Sequence, residues 1–290
     1  MMKTNDFACL ILTHGRADNV KTYETLRKYG YTGKIYLVVD DEDEQIDRYK
    51  ELYGNQVFVF NKQKYFELSD LADVDKTRSV VLPARNACFD IANDLNLQYF
   101  LELDDDYSIF MLRYEKNGQL KRADLPPLDN IFDMYIEFLD ASGAITVSFS
   151  QGGDFIGGVG SRVWKHRITR KAMNAFFCKT LRPFQFYGRL NEDCTMYVHL
   201  GQQGKLIFTI ADVSLVQGTT QANKGGLTEA YLKMGTYRKS FYTVMYAPSC
   251  VKIGVMGNND YRIHHSVAWD YTTPKIIHQK HQKQRTLVVS

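Results

Sequence analysis

The sequence predicts an α/β protein with a mostly parallel sheet flanked by helices, followed by a C-terminal extension. Three observations carry that expectation. Short apolar runs of strand length alternate with longer amphipathic stretches through the first half of the chain. Polar residues capable of chemistry stand where those runs end, the edge at which ligands collect in an open α/β sheet. A length of 290 residues with 44% hydrophobic content supplies a full core for one large domain, or one domain with a modest extension.

The strand candidates are FACLILT (7–13), KIYLVVD (34–40), QVFVFN (56–61) and YFLELD (99–104). Helices are expected between them over 19–29, 43–53 and 79–96, the last with Pro83 near its start, where a missing N–H is tolerated. After three aspartates, IFMLRYEKNGQLKRA reads as a hairpin turning at Asn117-Gly118, a strong short-range hairpin signal. A helix (128–141) and a strand (AITVSFS, 144–150) lead into the glycine-rich loop QGGDFIGGVG. The segment 161–180 is basic and mixed, 191–204 reads as a short helix closed by glycine, and KLIFTIADVSLV (205–216) as another strand. Residues 1–216 are therefore expected to form the catalytic body, and 217–290 an extension packed on it with a basic tail.

A formal net charge of +3 neither requires nor excludes a polyanionic partner, so any basic surface must be local. Five scattered cysteines without a CxxC spacing speak against a disulfide framework or a zinc site and fit a reducing cytoplasm. The run FACLIL is too short for a signal-peptide core or a membrane span, and the expectation is a protein neither exported by that route nor embedded.

The stretch YFLELDDDYSIF (99–110) ends an apolar strand in three consecutive carboxylates, an arrangement that repels itself unless a cation sits among them or the chain is well solvated. Strand alternation points Asp104 and Asp106 the same way and Asp105 elsewhere, so the outer two could share a divalent ion. The first strand delivers Thr13, His14 and Arg16 to the same edge, and the second delivers Asp40 and Asp41. Cations near a diphosphate, acids near a ribose and a carboxylate pair around a metal make a nucleotide site. Each feature has a plainer reading: an acidic first turn at 191–193 suits any helix, paired histidines are commonly surface residues, and the glycine-rich loop lacks the strand and helix context of a dinucleotide fingerprint.

PARNACFDIANDLNLQYFLELDDD (83–106) resembles the ARN-bearing helix and DxD motif of GT-A (Rossmann-like) nucleotide-sugar glycosyltransferases, with LTHGR (12–16) at their first nucleotide-contacting loop and NED (191–193) at their acceptor-side acidic motif. The resemblance covers roughly residues 7–216. Size and the late segment HHSVAWDYTTPK (264–275) are also similar to the bacteriophage glycosyltransferases associated with TET-type base oxygenases, which add sugars to modified DNA bases. The resemblance implies Mn²⁺ or Mg²⁺ at Asp104 and Asp106, with His264 or His265 completing the metal site. It implies a UDP-sugar donor contacted by Thr13, His14, Arg16, Asp40, Arg85, Asn86, Asp104 and Asp105, and Asp193 with Glu192 as the acceptor-side base of an inverting reaction. His14-Gly15 departs from the usual first loop.

For the acceptor, RVWKHRITRK (162–171) and KIIHQKHQKQR (275–285) interleave cations with aromatic or apolar residues, as phosphate contacts on nucleic acid require. With the resemblance, the leading expectation is transfer to a hydroxymethylated pyrimidine, such as 5-hydroxymethylcytosine, in DNA. A glycan, lipid or protein acceptor, a nucleotidyltransferase releasing pyrophosphate, and a non-catalytic DNA-binding protein are the alternatives. Sugar identity and oligomeric state are left open by the sequence.

Overall fold

In the computed structural model, residues 6–72, 78, 80–173, 175–217, 237–256 and 261–273 are described. The first strand, β1 (Phe7–Leu12), is buried along its whole length because both of its faces are covered. Its odd residues Phe7, Cys9 and Ile11 enter one core cluster, while Ala8, Leu10 and Leu12 enter another on the opposite side of the sheet. That period of two is what a strand sandwiched between helical layers requires, and it explains the continuous apolar run.

The remaining elements of the first half are α1 (Lys21–Lys28), β2 (Lys34–Asp40), α2 (Ile46–Tyr53), β3 (Val57–Phe60), α3 (Lys62–Leu68), α4 (Leu82–Asp94) and β4 (Tyr99–Asp104). Strands β3, β2, β1 and β4 lie side by side and parallel. The aspartate turn follows, then β5 (Tyr107–Lys116) and β6 (Gln119–Ala123), an antiparallel ribbon. Its turn residues Asn117 and Gly118 both have positive φ (55° and 72°), the backbone a tight two-residue hairpin needs.

Helix α5 (Leu128–Ser142) buries Leu128, Ile131, Phe132, Tyr135, Ile136 and Leu139, one stripe at helical spacing, and ends at Gly143 in the left-handed region (φ 68°). Its Phe132 and Tyr135 meet Phe7, Phe149 and Phe177 at centroid separations of 4.6–6.2 Å. Each such ring contributes about 1.5–3 kcal/mol by leaving water.

Beyond it come β7 (Thr146–Gln151), α6 (Arg162–His166), β8 (Ile168–Thr169), β9 (Ala175–Lys179), α7 (Glu192–Gln202) and β10 (Ile207–Gln217). The glycine-rich loop between β7 and α6 forms two short 3-10 turns, Gly152–Phe155 and Gly158–Gly160. The sheet order is β3-β2-β1-β4-β9-β7-β10-β5-β6, with β8 paired to β10. Strand β9 runs antiparallel to both β4 and β7, so the sheet is mixed, with a parallel half that carries the aspartates at its carboxyl edge.

The last elements are α8 (Arg238–Tyr246) and a two-stranded ribbon of β11 (Val251–Met256) and β12 (Arg262–Val267). Ala247, Cys250 and Val251 belong to the same core cluster as α4 and α7. Residues 218–226 and the basic stretch 275–285 lie outside the described residues. Among the described residues, no helix is long and apolar enough to cross a membrane.

Candidate active site

Asp104 closes β4, and Asp105 and Asp106 form the turn into β5. Asp105 is 5% exposed and ties this turn to the end of β1: Thr13 donates its hydroxyl to Oδ2 (2.8 Å) and Arg16 its Nη1 to Oδ1 (2.6 Å). Thr13 also shares a hydrogen bond with the Tyr49 hydroxyl (2.9 Å), which accepts from the Arg16 backbone N–H. The Thr22 hydroxyl donates to the Asp104 carbonyl (2.6 Å) and accepts from the Tyr107 N–H (2.9 Å). The first-loop residues and Asp105 thus meet one another, and Asp105 is held by Thr13 and Arg16 within a turn rather than in the extended strand that the sequence suggested.

Behind the turn sits Arg85, 2% exposed. Its Nη1 donates to Glu102 (2.6 Å), Nη2 to Asp104 Oδ1 (3.1 Å) and Nε to Glu192 Oε1 (2.9 Å). The guanidinium lies between the rings of Phe176 and Phe186, at 5.3 and 5.6 Å. Arg85, expected as a donor contact, is placed here with its fork on three carboxylates and 2% exposed. The Asn86 amide, expected at the donor as well, donates to Ser69 and to the Phe186 carbonyl and accepts from the Phe186 N–H (2.8 Å), pinning a loop to α4.

Charge around the turn is unbalanced. Among the described residues, Glu102, Asp104, Asp105, Asp106 and Glu192 are five carboxylates, and Arg16 and Arg85 are the two cations seen paired with them. Burial pushes Glu102 and Asp104 up to about 7 despite the attraction of Arg85, and the charge of Asp106 adds to the effect at Asp104. Burial also raises Asp105, Asp106 and Glu192. The Oδ1 atom of Asp106 is buried with no hydrogen-bond partner. The orphaned Asp106 oxygen near the Asp104 carboxylate, whose oxygens accept from Arg85 (3.1 Å) and, at the limit of hydrogen bonding, Gln217 (3.4 Å), is a donor set suited to a hard divalent cation, so Asp104 and Asp106 fit a metal. The expected histidine partners are not gathered with them: among the described residues, no three or more His, Cys, Asp or Glu side chains form a metal-binding group. His265 instead lies 3.4 Å from the Asn191 side chain through Nδ1, and burial beside His264 and Lys239 lowers it to about 4. The His264 ring lies 4.3 Å from it, tilted by 35°.

The other edge of the site is built on β2. His14 Nδ1 lies 2.6 Å from Asp40 Oδ2 and 3.5 Å from Asp43, while Lys62 Nζ takes Asp40 Oδ1 at 3.1 Å. The hydrogen bond to Asp40 raises His14 above its ordinary value. Both Asp40 oxygens already have partners, so the 45% exposed His14 side chain is the more available group. Lys62, Asp43 and Tyr49 were not anticipated; DED at 41–43 and KQK at 62–64 resemble ordinary polar loop sequence.

Glu192 and Asp193 open α7 as expected, both nearly buried. Asp193 accepts from the Cys194 N–H (2.6 Å). Asn191 adopts a left-handed backbone (φ 61°) and, rather than capping the helix, donates to Thr243 of α8 (2.6 Å). Carboxylates of α7 and β4 are thus linked through one guanidinium.

An α/β sheet with a cationic first loop and a carboxylate turn at its carboxyl edge is the arrangement expected of a nucleotide-using transferase. The family model described as "TET-Associated Glycosyltransferase" matches residues 7–226, and the chain belongs to that family and is a glycosyltransferase. No curated protein matches it. Among solved structures, it is similar to glucosyl-3-phosphoglycerate synthase from Mycobacterium tuberculosis in complex with Mn²⁺, UDP and phosphoglyceric acid (9% identity, 90% of this chain and 86% of that one, TM-score 0.45). It is also similar to a fragment of S. aureus TarS in complex with UDP-GlcNAc (12%, 83% and 66%, 0.46). A third is the mannosyltransferase PcManGT from Pyrobaculum calidifontis in complex with GDP-Man and Mn²⁺ (12%, 84% and 74%, 0.44).

Proposed function

We propose that the protein moves a sugar from a UDP-sugar to the hydroxyl of a 5-hydroxymethylated pyrimidine in DNA, with inversion at the sugar. The observation that carries the metal-dependent donor site is the Asp104–Asp106 turn with its orphaned Asp106 oxygen, in a chain of a TET-associated glycosyltransferase family. The DNA acceptor is supported by the family's description and by exposed cations on 162–167.

Asp104 and Asp106 would hold Mn²⁺ or Mg²⁺, which supplies charge neutralisation for a diphosphate leaving group. Arg16, anchored by Asp105, and His14, anchored by Asp40, border the same edge and supply donor contacts. Asp193 takes the proton from the acceptor hydroxyl as its oxygen bonds to the anomeric carbon; the bond from that carbon to the diphosphate oxygen breaks, and a nucleoside diphosphate departs. Glu192 and Arg85 act as positioning residues that fix the base-bearing helix against Asp104. The body is assigned to 1–216, and 217–290 to the extension.

Asp106→Ala is expected to lower Mn²⁺-dependent UDP release from a UDP-sugar about a hundredfold or more while leaving the thermal transition within a few degrees of wild type. Unchanged turnover in this variant would remove the aspartate turn from the reaction. Release of pyrophosphate instead of UDP would reassign the chain to nucleotidyl transfer.

A further inference from the structure

The edge of the main sheet opposite β3 is the ribbon of β5 and β6. Lys116, Lys121 and Arg122 are exposed on it. Register places Arg122 directly opposite Arg113, a like-charge pair that weakens a ladder. Burial and the Arg122 charge together lower Arg113, which is held by Ser214 (2.9 Å) and lies 4.6 Å over the Phe155 ring.

The ribbon is docked on α6. Leu120 packs on the cluster of Phe155, Val163 and Trp164, and the Trp164 indole donates to Glu115 (3.2 Å). Helix α6 adds exposed Arg162 and Lys165 to the same region, whereas nearby Asp212 and Asp154 are engaged by Arg167 and Lys171. Arg162 lies 5.6 Å from the Trp269 ring, which stacks on Tyr197 of α7 at 5.7 Å, so this surface is joined by contact to the helix bearing Asp193.

We infer that the β5–β6 ribbon and α6 form one docking track for the phosphate backbone of duplex DNA flanking the acceptor base. The inference rests on the DNA-acceptor reading and adds where the duplex lies. From Asp106 to Arg113 the chain runs seven residues, about 23 Å at strand rise, which is less than one DNA turn of about 34 Å. A duplex with its reacting base at the aspartate edge therefore presents phosphates to the ribbon within its first turn. A polyanion also relieves the Arg113–Arg122 repulsion. Charged edge strands also block sheet-to-sheet pairing, a role indifferent to DNA length.

The test uses the full chain and its Lys116→Ala/Lys121→Ala/Arg122→Ala variant with hydroxymethylated duplexes of about 8 and about 24 base pairs, the free hydroxymethyl nucleoside, and UDP-sugar alone. Wild type is expected to bind the longer duplex more tightly. The variant is expected to lose about tenfold or more on that duplex, with the slope of log affinity against log salt reduced by about 2.7, and to release UDP without acceptor at the wild-type rate. If variant and wild type share affinity and salt slope on the longer duplex, the track is overturned and the DNA acceptor stands. If wild type releases UDP but glycosylates neither duplex, the acceptor reading falls and takes the track with it.

Discussion

Arg85 is the residue on which the site's geometry depends most. Its position on α4, three residues after Leu82 starts the helix, sends it under the end of β4, where Glu102, Asp104 and Glu192 converge. Removing one partner of a buried ion pair typically costs about 3–5 kcal/mol, because the remaining charge is left uncompensated. Arg85→Leu is expected to destabilise the protein by that amount in denaturant unfolding and to reduce transfer with it; a loss under about 1 kcal/mol would contradict the network. The sequence displayed Arg85 beside Asn86 in a motif, but not which way they face. Both side chains turn inward because Phe176 and Phe186, distant in sequence, close over them, and no local pattern encodes that. The aspartate cluster was legible because its proximity is covalent, whereas the turn at Asp105 and Asp106 departs from the extended geometry that alternation assumes.

At the scale of elements, the contact between the late helix α8 and the loop before α7 is tight. Gly188 has φ +83°, and a Cβ there would lie 3.2 Å from Tyr246 and 3.3 Å from Tyr242. Gly188→Ala is expected to cost about 2–3 kcal/mol, from left-handed strain plus overpacking, measured by chemical denaturation. Unaltered stability would mean that α8 yields freely. Strands read as KIYLVVD and YFLELD have the expected bounds, since fully buried parallel strands are continuous apolar runs. The segment 161–180, read only as basic and mixed, conceals β9, whose AFFCK is five residues long and follows a cationic stretch. Helix α3 was missed for a related reason: KQKYFEL is seven residues with three polar ones at its start, too short for periodicity to register, and Asn61 capping Lys64 N–H was its one local signal.

At the scale of the whole molecule, the fold gathers three distant stretches at one edge: the loop after β1, the aspartate turn and the start of α7, joined by Arg16–Asp105 and Arg85–Glu192. The extension contributes to that edge through Asn191, which bonds Thr243 of α8 and approaches His265 of β12. His265 thus meets the residue that precedes the acid-bearing helix, a placement that sequence order alone did not disclose. The proposed reaction is sugar transfer to a modified DNA base. Its most direct test is mass spectrometry of nucleosides from hydroxymethylcytosine-containing and unmodified DNA, each incubated with the protein, Mn²⁺ and a panel of nucleotide sugars. A mass gain of one sugar on the hydroxymethylated base alone is the result expected. UDP release with no change in any nucleoside would contradict the DNA acceptor and leave a glycosyltransferase with a different one.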